Sequence, residues 1–403
     1  MELFRNPFRP GAGQHPPYLA GRKDEQVDFR IMLDQSPVLK NLIITGLRGV
    51  GKTVLLDTLK PIAVEKGWFW AGTDLSESAS VSEQTLATRI LADFSGLLSS
   101  FSIGEREKKT VGYISTIQKT PIHLSYDILI NYYNRVPGLV SDKLKSTLEF
   151  IWNVIKEKAQ GVVLAYDEAQ MLKDYAADKQ YPLSVLLEVV QYLQKKEIPY
   201  LLALTGLPTL FPNLVEARTY AERMFHVTTL DKLTEEESRE AIVTPVEKEN
   251  CPVAFSADAI DNIIKTSGGY PYFIQFFCKE AYDSYLQQKA VGVKDPLVTI
   301  SELVRKLDSD FYAGRWSKTT ERQRYVLEIA ARLANANEEF TGQDILIKVK
   351  QLKLEPLSAS YLNQLLKKLI ESGFIYKNKH GKYSFAVPML ADYINRQNKN
   401  MKL

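Results

Sequence analysis

Residues 41–53 read NLIITGLRGVGKT, an apolar run of strand character that passes directly into Gly46-Leu47-Arg48-Gly49-Val50-Gly51-Lys52-Thr53. G-x-x-x-x-G-K-[ST] between a buried strand and a helix is the phosphate-loop spacing. Its glycines let backbone N–H groups curl around a β-phosphate at the positive end of the following helix. Lys52 is placed to reach the β- and γ-phosphates and the Thr53 hydroxyl to hold Mg²⁺, while Gly46, Gly49, Val50, Gly51 and Val54 complete the cradle. Residues 54–67 then alternate apolar and polar at helical spacing, as a helix packed on a sheet does. The bland alternative is a glycine-rich strand–helix turn that binds nothing, and the full eight-residue pattern in this context weighs against it. The ligand implied is a nucleoside triphosphate.

A chain of 403 residues is too long for one compact domain and implies two or three. No apolar run is long enough for a membrane span, and the first 22 residues lack the apolar core of a secretory signal. Cys251 and Cys278 match neither a metal pattern nor a disulfide framework, so a reducing, cytoplasmic setting is expected. Charge is uneven. Residues 316–403 carry 15 Lys and Arg against 8 Asp and Glu, and residues 1–315 carry 36 against 40. A basic segment behind a mildly acidic body suggests a polyanionic partner, with a solvated basic face as the alternative.

A second nucleotide signal is GVVLAYDEAQ at 161–170, whose continuous apolar run suits a strand buried on both faces of a parallel sheet. It ends in Asp167-Glu168. In P-loop ATPases an aspartate so placed holds Mg²⁺, and an adjacent glutamate polarises the attacking water. A third buried run, Tyr200–Thr205, ends in a hydroxyl; Trp68-Phe69-Trp70 and Phe225–Leu230 read as two further strands. Five strands separated by helical stretches imply a doubly wound parallel sheet with ligand at the strands' carboxyl ends. No N-K-x-D motif is present, which favours adenine, hence ATP.

The order of motifs PPYLAGR, phosphate loop, LAYDEAQ, LTGLP, YAERMF and TSGGYPYFIQFF resembles AAA+ ATPases, more narrowly their origin-recognition-like and STAND-like branch. The resemblance extends over essentially the whole chain. It implies an α/β fold: a P-loop AAA+ parallel sheet of the additional-strand type with a helical lid, followed by a winged helix-turn-helix. It places Tyr18, Leu19, Gly21 and Arg22 around the adenine, where a simple N-terminal strap is the alternative. Thr205 becomes a first sensor, bonded to the γ-phosphate or the lytic water, with an ordinary β-branched strand end as its alternative. Arg223, rather than Arg218, becomes an arginine finger reaching a neighbouring subunit's γ-phosphate, which would require a homo-oligomer; a surface ion pair is the alternative. Where many AAA+ proteins carry a lid arginine, this chain has Gly269-Tyr270-Pro271. Pro271 would then contact nucleotide without supplying a cation, as suits a slow switch.

The expected divisions are an ATPase core with its adenine strap at 1–230, a lid at 231–290, a connector at 291–318 and a winged helix-turn-helix at 319–403. The lid opens at Thr234, whose hydroxyl and following glutamates suit a helix cap and dipole. In the last segment three helical patterns and a hairpin follow one another. Tyr361, Leu362, Leu365, Leu366, Leu369 and Ile370 form the expected buried stripe of the third helix. Ser358, Ser360, Asn363, Gln364, Lys367 and Lys368 form a face suited to duplex DNA, and Lys379 and Lys382 extend it through the wing. Docking of a protein partner is the alternative. Residues 73–160 read as a flexible or hairpin insertion, or as surface elaboration. Two functions remain open: an ATP-dependent DNA-binding switch, or a STAND-like signalling ATPase whose winged helix packs on its own core.

Overall fold

The runs at 41–46, 161–166 and 200–206 have uninterrupted apolar centres, Leu42–Ile44, Val162–Tyr166 and Tyr200–Leu204, which suits strands covered on both faces. Every residue of the three is buried. The computed structural model describes residues 6–11, 13–99, 101–109, 117–251, 253–336, 338–377 and 381–400. Its strands are β1 (Asn41–Gly46), β2 (Trp68–Ala71), β3 (Ser102–Lys109), β4 (Ile117–His123), β5 (Gly161–Tyr166), β6 (Tyr200–Gly206), β7 (Phe225–Leu230), β8 (Ile375–Lys377) and β9 (Tyr383–Phe385). Five make one sheet in the order β2-β5-β6-β1-β7, with β3–β4 and β8–β9 as separate ribbons. β2 with β5, β5 with β6 and β6 with β1 pair in parallel. The strand β6 therefore stands between β1 and β5, the additional-strand arrangement. Its register sets Thr205 opposite Ile44 and Leu204 opposite Tyr166, so the three strands end at one carboxyl edge. Buried Asn41 ties β1 on both sides: its Oδ1 accepts from Leu202 N at 2.8 Å and its Nδ2 donates to Met224 O at 3.2 Å.

The chain forms two compact units, one of residues 24–45 and 55–229, the other of residues up to 23, 46–54 and 230–403. In the sheet-containing unit, the described residues between 73 and 160 are mainly helical, with one two-stranded ribbon, where a flexible or hairpin insertion or surface elaboration was expected. The helices Glu83–Leu98, Tyr126–Arg135 and Val140–Ile155 bury Leu86, Ile90, Phe94, Leu129, Leu148 and Ile151 in one core with Val162 and Leu164 of β5. Their apolar residues recur at helical spacing. The ribbon β3–β4 falls on the Ser-rich and basic stretch that had suggested an insertion.

The other unit contains the helices Glu235–Lys248, Ala257–Ser267 and Pro271–Ala290, then Ile300–Leu307, a π-turn Asp308–Tyr312 and the short helix Ala313–Trp316. Glu321–Ala331, Gly342–Gln351, Ala359–Glu371, the β8–β9 hairpin and a last helix Leu390–Asn400 follow. One hydrophobic core joins Phe273 and Phe277 to Leu307, Tyr312, Leu327 and Leu366. Residues 300–316 contribute Leu303, Leu307, Tyr312 and Trp316 to that core. The Tyr312 hydroxyl donates to Pro388 O at 2.8 Å and its ring stacks on Tyr393 at 4.9 Å. Arg396 donates to both oxygens of Asp308, at 2.9 and 2.5 Å. Capping boxes start the helices at Thr234, Thr320 and Thr341. Phe340 and Tyr383 exchange backbone hydrogen bonds of 2.8 and 2.7 Å, adding a bridge to the hairpin. One expectation fails here: Tyr361 is 39% exposed instead of belonging to the buried stripe, because it lies toward the solvent side of Leu362 and Leu365. Among the described residues no helix is long and apolar enough to cross a membrane.

Candidate nucleotide-binding site

The loop that opens from β1 is held by its own unit. Lys52 Nζ, at the start of the helix Lys52–Glu65, donates to Gly46 O at 2.9 Å and Leu47 O at 2.8 Å, which folds the ammonium back across the loop. Val50 is buried. Buried Arg22 donates to Val50 O at 3.2 Å and to Asp231 O at 2.8 Å, clamping the loop to the end of β7. Gly49 has φ +81°, and a Cβ there would stand 3.0 Å from Tyr272 Cβ. Tyr272 N donates to Gly49 O at 3.1 Å. Gly269, with φ +77°, comes so close to Leu233 that a Cβ would stand 2.6 Å from its carbonyl oxygen. Both positions require glycine, because the left-handed backbone and the close approach each disfavour a side chain.

In the sheet unit, Asp167 is 4% exposed and bridges to Asp74 across the end of β5. Glu168 N donates to Asp167 Oδ1 at 2.7 Å, and the buried Thr205 hydroxyl donates to the same oxygen. Thr205 therefore holds Asp167 here, a role its place at the strand end did not announce. Glu168 has φ +51°, a left-handed conformation that a non-glycine residue adopts at a cost. Gln170 Nε2 donates to its carboxylate, and Gln170 Oε1 accepts from Leu207 N at 3.0 Å. Burial, and then the charges of Asp167, Asp57 and Glu168, hold the Asp74 carboxyl above its usual range. Sequence reading missed Asp74, since nothing in its local pattern marks it.

This donor set fits Mg²⁺ in one way only. Among the described residues no three His, Cys, Asp or Glu side chains cluster as a metal cage. Mg²⁺ is commonly held by one or two protein oxygens completed by phosphate oxygens and water. Thr53 and Asp167, the residues expected from the sequence to hold Mg²⁺, each carry an oxygen of that type.

The other expected residues are placed as follows. Tyr18 OH donates to Glu240 Oε2 at 2.9 Å, and Lys248 lies 5.0 Å from its ring centre. The hydrogen bond to Glu240, then burial, then that charge raise its phenol above its ordinary value. Leu19 is half-buried. Pro271 is the first residue of its helix, whose cap is Tyr270. Arg218 lies 3.7 Å from Glu188, whereas Arg223 is exposed on the short helix Ala221–Met224. Ser358 caps the helix Ala359–Glu371, accepting from Tyr361 N at 3.2 Å. Ser360, Asn363, Gln364, Lys367 and Lys368 are exposed on that helix. Lys382 pairs with Glu339 at 3.1 Å, and Lys379 lies outside the described residues.

Known proteins locate this architecture. A family described as a domain of unknown function (DUF8462) matches residues 309–394. No curated protein sequence matches the chain. Among solved structures, a Walker-type ATPase of Pyrococcus abyssi is similar at 16% identity with TM-score 0.59, covering 94% of this chain and 96% of its own. The Aeropyrum pernix ORC2 protein, in ADPNP–ADP complexes, is similar at 14% identity with TM-score 0.53, covering 97% of this chain and 96% of its own. The fold is shared with that Walker-type ATPase and with the ORC2 protein.

Proposed function

We propose that this chain binds ATP with Mg²⁺ and hydrolyses it slowly, as a switch whose output is the engagement of duplex DNA by its C-terminal residues. The observation that carries this reading is the complete phosphate loop, with Lys52 drawn onto Gly46 and Leu47, opening from a strand that runs parallel to the one ending in Asp167-Glu168. Lys52 and the loop N–H groups bind the phosphates. Thr53 and Asp167 would hold Mg²⁺, which supplies charge neutralisation at the phosphate oxygens. Glu168 accepts a hydrogen bond from the water that attacks the γ-phosphorus, giving ADP and phosphate. Exposed Arg223 would serve a neighbouring copy, which makes a homo-oligomer the active form.

Residues 231–290 act as the lid in this reading, 291–318 as the connector and 319–403 as the winged helix, supported by the order helix–helix–helix–hairpin. The exposed polar face from Ser360 to Lys368 would meet DNA, and each neutralised phosphate adds about 0.9 to the log–log salt slope. Glu168→Gln is expected to lower turnover at least about 100-fold while ATP still binds; normal turnover in that variant would sink the assignment. Anisotropy of a labelled duplex should show ATP-dependent, salt-sensitive binding that falls in Lys367→Ala/Lys368→Ala.

A second reading, a STAND-like ATPase that docks a protein partner, is favoured by one observation: the lid and the C-terminal residues share a single core. Absence of DNA binding under every nucleotide condition would favour it over the first.

A further inference from the structure

The segment Asp308–Trp316 carries Arg315, whose guanidinium carbon lies 5.2 Å from the Phe311 ring centre. That ring packs on Tyr272 at 5.2 Å, and Tyr272 packs on Gly49 of the phosphate loop. Arg48, the residue before Gly49, reaches toward the C-terminal helices, its Nη2 standing 3.8 Å from where a Gly373 Cβ would be. Burial, and then the positive charge of Arg48, pull the Arg315 guanidinium below its ordinary value.

Two cations thus converge, one from the phosphate loop and one from a segment far along the chain. Among the described residues neither pairs with a carboxylate, and Arg315 Nη1 is buried without a hydrogen-bond partner. A buried charged donor left unsatisfied is costly. Among the described residues, the groups found to act on Arg315 besides Arg48 are Phe311, Tyr272 and Tyr312, none of which carries negative charge at neutral pH; the carboxylates of Asp310 and Asp308 act on those tyrosines instead. A phosphoanion satisfies this pair best, because guanidinium matches phosphate oxygens in a planar, two-point fashion.

We propose that Arg315, together with Arg48, binds the terminal phosphate of the nucleoside triphosphate in cis, so that the C-terminal segment itself distinguishes triphosphate from diphosphate. This rests on the ATP reading above and supplies the cation that Tyr270-Pro271 does not provide. The segment is also the one tied to the last helix, by Asp308–Arg396 and by Tyr312 on Pro388 and Tyr393. Loss of the phosphate would therefore be felt at the C-terminal helices.

The test is calorimetric titration of full-length protein with Mg-ATP and with Mg-ADP, using wild type, Arg315→Ala, Arg315→Lys, Arg48→Ala and the double alanine variant. Arg315→Ala should weaken ATP about 10- to 100-fold, the effect of losing a charged hydrogen bond, with ADP changed by no more than about twofold. Lysine should restore part of the loss, and the double variant should lose less than the product of the single losses. Arg48 is exposed, so its variant reports even if Arg315→Ala fails to fold. An unchanged ATP-to-ADP affinity ratio in Arg48→Ala and Arg315→Lys overturns the proposal while leaving ATP binding intact. A wild type that binds neither nucleotide overturns the underlying reading and this one with it.

Discussion

Asp167 receives two donors on one oxygen, the Glu168 N–H at 2.7 Å and the Thr205 hydroxyl. Both hold a buried carboxylate in one orientation, and hydrogen bonds to a charged group are each worth about 1.5–3 kcal/mol. Thr205→Val keeps the shape of a fully buried residue and removes only the donor. If Thr205 positions Asp167, the variant should need roughly tenfold more Mg²⁺ for half-maximal turnover, a shift within that energy. ATP affinity should stay near wild type. A Mg²⁺ titration of ATPase activity decides the matter: a fall in turnover at every Mg²⁺ concentration, with no shift, returns Thr205 to the role of a sensor on the γ-phosphate or the lytic water. Glu168 is strained beside it, with φ +51°.

At the scale of elements, the loop after β1 and the helix Pro271–Ala290 meet through Gly49 and Tyr272. Gly49→Ala would force an L-residue into φ +81°, which costs about 1–2 kcal/mol, and would press its Cβ against Tyr272. Melting should fall by several degrees and ATP affinity by about tenfold; unchanged values in thermal melts and nucleotide titrations would remove the contact from the loop's support. The sheet was readable because Leu42–Ile44, Val162–Tyr166 and Tyr200–Leu204 are uninterrupted apolar runs, and the cap at Thr234 because its hydroxyl is followed by glutamates. The helices within 73–160 escaped notice because the Ser-rich, basic stretch around β3–β4 dominated that region's reading. Tyr361 was misplaced because an aromatic at the margin of an apolar stripe can face either way. Arg315 could not be found at all: its place over Phe311, whose ring packs on Tyr272, is a tertiary fact.

At the scale of the molecule, residues 46–54 form one compact unit with residues 230–403, although they follow a strand of the sheet. Nucleotide on the loop should therefore stabilise segments remote from it in sequence. Mg-ATP at 100 times its dissociation constant adds about 2.7 kcal/mol to a state that alone binds it, and Lys52→Ala should abolish the gain in melting temperature. Hydrogen exchange gives this a location. With Mg-ATP, protection should rise over 46–54 and 266–277, and also over 308–316 and 385–396, which Tyr312 and Arg396 tie together. Arg396→Ala removes the two bonds to Asp308 and should uncouple the ends: protection by ATP persists over 46–54 and is lost over 385–396. A switch needs its two ligands to differ in what they stabilise. ADP should accordingly protect the loop without protecting 308–316. Equal protection of that segment by ADP and ATP would mean that nucleotide here holds the fold together without signalling its own state.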